Sequence, residues 1–336
     1  MAALTLGSGR LFCFYICSMG SAERQTYGAF CESANVPDFN RPWWLDAVCG
    51  SGGWGVVMAK DKKGEVAAAL PYFKSKVKGL PALRQPPLMP YMGLWWYPAY
   101  QQATNAKRFT LGRQLVPQLL EQLPRVVLHT QKLHPSTDNW LPFYWAGYQQ
   151  QLRYHFIVPQ LQDEQALYRH FNRSVKYSIN HGPEHLEIVE REDVGSLYGL
   201  LTDTFDRQGL SLPITLDLVE RLDEAVCQNG RRQLLFAQHK ESGAFHSGVF
   251  LLHTAGVSYP LMAGNGPGSR ETGAFQYLMW SCFRESAAYS RQFNFLGSMM
   301  PNVAPGLNGF RAVPIPYFEI YRAWPKALSP FVQWLI

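Results

Sequence analysis

Three apolar-alternating runs follow one another closely: "RQLLFAQHK" (232–240), "AFHSGVFLLHT" (244–254) and "GVSYPLMAG" (256–264), separated by "ESG" and "AG". Alternation of this kind marks half-buried strands, and turns this short allow only neighbouring strands to pair. The spacing therefore predicts a three-stranded antiparallel meander. It runs directly into "AGNGPGSRETGAFQYLMWSCFRESA" (263–287), a glycine-rich turn that becomes a helix with apolar periodicity. Two readings of that turn stay open. An exposed helix N-terminus attracts anions, and glycines let backbone approach a ligand, so Gly264, Gly266 and Gly268 before Arg270 suit a phosphate cradle. Alternatively the turn only starts a core helix, with Ser269 or Thr272 as its N-cap. It is neither a GK[ST] P-loop nor a GxGxxG.

The rest of the chain alternates helix and strand signals. Helix, proline-punctuated loop and a second helix from Pro42 are expected over 27–49. "WGVVMAK" (54–60) and "EVAAALPYFKSK" (65–76) flank "DKKG" as a hairpin. Residues 79–98 carry five prolines and read as a long irregular loop, and long ordered loops are often functional. A helix at 104–123 precedes strands at 125–130 and 152–161. Helices at 163–180, 194–208 and 215–229 lead to the meander, and strands at 292–298 and 313–324 follow it. Hairpin, loop, helix, strand, strand thus occurs in both halves without a residue-level repeat. The expected division is an extension at 1–22, a first domain at 23–162 and a second at 163–336.

Composition narrows the function. Charged residues are 17% and the net charge of +6 is spread out, short of the dense basic stripe of a dedicated nucleic-acid binder. Aromatics at 14% are numerous enough to line a ligand cleft as well as a core. The six cysteines (Cys13, Cys17, Cys31, Cys49, Cys227, Cys282) show no CxxC and no histidine at zinc spacing, which reads as reduced, cytosolic and metal-free. "GRLFCFYICSMGSAER" has a faint signal-peptide shape but a short apolar run. Met19 heads a more ordinary start, so residues 1–22 read as a non-structural extension or upstream start. No later run is long enough for a membrane helix, so a soluble, cytoplasmic chain without integral membrane contact is expected.

Several side chains could carry chemistry. Over 163–180, Leu167, Phe171, Val175 and Ile179 form an apolar stripe, while Arg169, Arg173, Lys176 and Asn180 lie on another face. That face is either solvated or a phosphate contact, with Tyr177 one turn after Arg173 able to join it. "TFDRQGLSLP" places Asp206 and Arg207 at a helix end, either as a structural pair or with Asp206 orienting an amine nucleophile. Tyr259 and Asn265 lead into the glycine turn. Tyrosine can donate to a carbonyl oxygen or protonate a leaving group, although a half-buried strand tyrosine is the plainer reading. No Ser-His-Asp order, HExxH or nucleophile elbow occurs.

Meander, glycine turn, helix and strand together resemble the cofactor half of the GCN5-related N-acetyltransferase (GNAT) fold. There the loop [R/Q]-x-x-G-x-[G/A] holds the pyrophosphate of acetyl-CoA. Arg270-Glu271-Thr272-Gly273-Ala274-Phe275 matches the Arg and the first Gly, with Phe275 in place of the closing Gly or Ala. The span 150–322 resembles the FemAB-like (BioF2-like) branch through "HFNRSVKYSI", "TFDRQGLSLP", "GSRETGAFQYLMW" and "FNFLGSMMPNVAPGLNGFRAVPIPYFEI". The resemblance implies an α/β (α+β) fold of tandem GNAT-like domains, each a mixed, mostly antiparallel sheet flanked by helices. It implies an N-acyltransferase moving an acyl or aminoacyl group to an amine on a cell-envelope or sugar-linked acceptor. Acetyl-CoA or another acyl-CoA would lie on Ser269, Arg270, Gly273 and Ala274. Substrate would meet Arg173, Lys176, Tyr177 and Asn265, with Tyr259 and Asp206 as catalytic candidates and no metal. The long helical hairpin of some tRNA-using members is missing, which disfavours charged tRNA as donor, and DNA is not expected as a partner. The alternative is a non-catalytic module binding an anionic saccharide or nucleotide-linked metabolite. Phe275 divides the two: turned into the core it leaves room for an anion, and turned into the groove it does not.

Overall fold

The computed structural model describes residues 20–297, 299 and 304–325. The expected extension and the cysteines Cys13 and Cys17 lie outside them up to residue 19, and α1 (Ser21–Ser33) already begins within the last two residues of that extension. Helix α2 (Pro42–Cys49) starts at its proline, where the missing N–H costs nothing. Strands β1 (Trp54–Lys60) and β2 (Val66–Val77) form the expected antiparallel hairpin.

The proline-rich segment corrects one expectation. Within it lie β3 (Leu80–Arg84) and the two-residue β4 (Trp95–Trp96), both paired to β2. Ala82 and Leu83 are buried, and the Pro81 carbonyl still accepts from the Val127 N–H, so its prolines do not exclude pairing. A single turn, α3 (Pro98–Gln101), precedes α4 (Asn105–Gln122), which Thr104 caps. Then come β5 (Leu128–Lys132), α5 (Leu141–Trp145) and β6 (Gln149–Val158).

The helix expected over 163–180 is two helices, α6 (Glu164–His170) and α7 (Arg173–His185). Phe171 and Asn172 are extended between them: Phe171 is drawn into the core, and Asn172 caps α7 by accepting from the Val175 N–H at 2.8 Å. A strand not anticipated, β7 (Leu186–Glu190), follows and pairs with β8. The remaining elements match their expected places closely: α8 (Val194–Asp206), α9 (Leu216–Asn229), then the antiparallel meander β8 (Arg231–His239), β9 (Phe245–His253) and β10 (Gly256–Asn265). The turn α10 (Ser269–Thr272), α11 (Ala274–Ala287), β11 (Ser290–Asn294), α12 (Ala304–Asn308) and β12 (Val313–Ala323) complete the chain.

Among the described residues the strands make one sheet, in the order β1-β2-β3-β5-β12-β6-β11-β10-β9-β8-β7. Only β3–β5 and β10–β11 are parallel. The order is pseudo-symmetric about the β12–β6 ladder, which runs from Val313 opposite Ile157 to Tyr321 opposite Gln149. β6, the last strand of the first half, pairs with β11 of the second. β12, the last strand of the second half, pairs with β5 of the first. Each half therefore ends in a strand that completes the other half's sheet. A large core joins α1 and α2 of the first half to α8 and α9 of the second, with Trp44, Trp54 and Phe39 fully buried. A second core packs α7 and α11 on the meander, and its members include Phe171, Val175 and Ile179 of the expected apolar stripe.

Candidate functional site

Atoms placed on the glycines show what the turn after β10 is built for. A Cβ on Gly264 would lie 2.5 Å from the Leu200 backbone, and one on Gly266 2.8 Å from the Phe245 carbonyl. On Gly273 (φ +66°) it would lie 2.5 Å from Ser178 Oγ, and on Gly268 (φ +80°) 2.7 Å from the His246 ring. The chain is thus small at each point because another part of the same chain lies against it. Ser269 is buried and donates to Asn265 Oδ1 at 3.2 Å, and Ala274 is fully buried. Phe275 is half-buried and packs on the second core. Solvent reaches Arg270 and Glu271, one charge of each sign.

Asn265 is the hub of this joint. Its Oδ1 also accepts from Ser247 at 2.7 Å, its N–H donates to Thr204 Oγ1 at 2.7 Å, and its carbonyl accepts from Arg207. Asp206 stands beside this joint, exposed, at the end of α8. Arg173 is exposed at the start of α7. Lys176 donates to the Arg169 carbonyl at 2.8 Å and lies over the Tyr168 ring, and Tyr177, 65% exposed, lies tilted against His181. Tyr259 is buried edge-on to Phe39 at 5.0 Å, and burial holds its hydroxyl protonated.

None of these residues lines the cavity that lies between the halves. It measures about 210 Å³ and is partly open to solvent. Both parallel pairs stop short of it. β3 and β5 pair only at Ala82 and Leu83, and β10 and β11 only as far as Ser258 and Phe293. Residues 88–91, which follow β3, form one wall, and Leu261 and Leu296 another. Lys132 from the end of β5, Tyr317 from β12 and Gly297 complete it. The lining mixes polar and apolar surface, with Lys132, Tyr91 and Tyr317 as its polar side chains.

Those polar groups are firmly held. Tyr91 Oη lies 2.6 Å from His155 Nδ1 on β6, and Asn294 Nδ2 is 3.0 Å from the same oxygen and 2.9 Å from the same nitrogen. Burial pulls the His155 pKa down to about 4, so the ring is neutral near pH 7. His134, edge-on to Tyr91, is likewise lowered to about 4 by burial. Burial also raises the Tyr91 hydroxyl, with neighbouring Tyr259 adding to the effect, and lifts Tyr317 to about 12. Asn40 ties the segment down by donating to the Tyr91 carbonyl at 3.0 Å. Sequence reasoning missed Tyr91, Lys132, His155, Asn294 and Tyr317. The proline-rich loop around Tyr91 was the one available signal.

A comparison with protein families matches the acetyltransferase (GNAT) domain over residues 167–301. That span resembles a GNAT domain. Across the chain the fold is that of tandem GNAT domains, and it resembles the FemAB-like branch. The crystal structure of FemX aligns with TM-score 0.64 at 12% identity, covering 92% of this chain and 98% of that one. L-PGS from Bacillus licheniformis gives 0.54 at 12%, covering 92% and 94%. A tandem GNAT protein from the clavulanic acid biosynthesis pathway gives 0.51 at 12%, covering 90% and 95%. No curated protein matches. GNAT domains generally take acyl-CoA. Within the turn Ser269 bonds to Asn265, Gly273 lies against Ser178, Ala274 is buried, and Phe275 packs on the second core and not across the turn. Among the described residues no cluster of His, Cys, Asp and Glu could hold a metal ion, and no helix is long and apolar enough to cross a membrane.

Proposed function

We propose that this protein is an N-acyltransferase that moves an acyl or aminoacyl group to an amine on a cell-envelope or sugar-linked acceptor, with the reacting groups meeting in the cavity between the halves. The observation that carries this reading is the convergence of both parallel-pair ends on one partly open space of mixed polar and apolar lining, which includes a lysine and two tyrosines. Such a space holds two reactants together, which supplies much of the rate of an acyl transfer. Lys132 provides positive charge where an oxyanion or a substrate anion needs it, and its desolvation makes that charge act more strongly than it would in water. Tyr91, oriented by His155 and Asn294, offers its oxygen to an amine N–H. The proteins of like fold support the direction of the reading, since FemX and L-PGS share this architecture.

The donor is open between acyl-CoA and charged tRNA, and the test separates them. The purified chain is incubated with each donor class and an amine acceptor, and transfer is followed by mass spectrometry. Transfer from one donor, lost when Leu261→Trp fills the cavity, is the expected result. Absence of transfer from both donors defeats the reading.

A binding module without catalysis is the second reading. It is favoured by Phe275, which stands where the loop of the family closes with Gly or Ala. Ligand binding in the cavity without turnover of either donor would select it.

A further inference from the structure

Lys132 ends β5 with its backbone pinned on both sides. Its N–H donates to Gln85 Oε1 at 3.1 Å, and its carbonyl accepts from the Met92 N–H at 2.8 Å. Opposite it on β12 stands Glu319, 4% exposed, but that carboxylate is taken by Arg153 at 2.6 Å. Two cations thus share one carboxylate. The other titratable groups at the polar wall bring no negative charge: His134 and His155 are neutral, and Tyr91 and Tyr317 are kept protonated by burial. The ammonium is largely desolvated, which lowers its pKa, with Glu319 opposing that effect and Arg153 adding to it. A desolvated cation without a counterion of its own is costly to hold, and a bound anion relieves that cost.

The kind of anion follows from the wall. Lys132 is the one cationic residue in the lining, and a lone ammonium suits a monoanion better than a phosphate dianion, which calls for paired donors. Beside it, Tyr91 directs its proton to His155 and accepts from Asn294, which leaves one lone pair of its oxygen for an N–H. Resting on the transfer reading above, we infer that the cavity holds its acceptor by a carboxylate bound to Lys132, with the adjacent amine at Tyr91, so that the acceptor presents an amino acid or a residue of amino-acid size.

The full chain is titrated with L-alanine and, separately, L-alaninamide, followed by ligand-observed NMR and by thermal shift. Alanine binds at least tenfold more tightly, Lys132→Gln erases the preference, and Lys132→Arg keeps part of it. Equal binding, binding of neither probe, or a preference that survives Lys132→Gln overturns the inference. A Lys132→Gln variant that lowers transfer while keeping the preference also overturns it, because the lysine would then serve only the reaction. If neither donor class supports transfer but the Lys132-dependent preference is present, the carboxylate site stands and the transfer reading falls. If transfer occurs without the preference, the transfer reading stands and the carboxylate site falls.

Discussion

Tyr91 and His155 share a hydrogen bond of 2.6 Å in the interior, and a third residue fixes its direction. The Asn294 amide nitrogen lies 2.9 Å from the same Nδ1 and can only donate, so Nδ1 accepts and the ring proton sits on Nε2. Tyr91 is therefore the donor to His155, and its orientation is set from behind. Tyr91→Phe removes that donor and the oxygen facing the cavity together. Transfer is expected to fall at least tenfold, with a stability loss of about 1–2 kcal/mol in chemical denaturation. Undiminished transfer by the variant would show that Tyr91 serves the fold alone.

Acid weakens this protein through its buried histidines. His129, His134, His155 and His253 are each lowered by burial from 6.5 to about 4. Between those values the unfolded chain binds protons that the folded one refuses, so stability falls as pH drops from about 6.5 towards 4. Each histidine contributes up to about 1.4 kcal/mol per pH unit within that window, and nothing above it. Denaturation midpoints measured from pH 7.5 to 4.5 are expected to be level at first and then decline steeply. A His129→Gln variant should show a shallower decline.

Gly273 is the tightest point of the glycine turn. Gly273→Ala combines a left-handed backbone (φ +66°) with a Cβ 2.5 Å from Ser178 Oγ, and should cost about 1–3 kcal/mol. Adding Ser178→Gly removes the collision and leaves the backbone strain, so the double variant recovers part of the loss. Thermal unfolding of the three proteins checks this. A full-strength single variant would mean that the turn yields easily and that its glycines answer to something other than packing.

The exchanged strands make the halves interdependent. Expressed separately, residues 20–162 lack the strand that pairs with β5, and residues 163–325 lack the strand that pairs with β11. Neither fragment should unfold cooperatively alone, and co-expression should give a complex that copurifies. Two fragments that each melt sharply by themselves would contradict this.

Much of the fold was legible because its signals are local. The meander shows in the alternation of "AFHSGVFLLHT", and α8 and α9 show in helical apolar spacing. β7 escaped because "LEIVE" is short, and β3 because prolines masked it, although Pro81 keeps a carbonyl in the pairing. The break at Phe171 depends on a tertiary pull that helical periodicity cannot register. The cavity was illegible for a deeper reason: Tyr91, Lys132, His155, Leu261 and Asn294 come from distant segments with no common spacing. The glycine turn reads two ways, since a chain kept small to fit itself carries the same letters as one kept small to fit a ligand, and the contacts at Gly264, Gly266 and Gly273 account for the first.

The crossing of β6 and β12 also settles how this molecule can move. A hinge between the halves would have to tear the ladder from Val313 opposite Ile157 to Tyr321 opposite Gln149, so the floor under the cavity travels as one stiff plate. The wall at residues 88–91 is tied as well, through the bond from Asn40 to the Tyr91 carbonyl, so an incoming molecule meets a frame already in place.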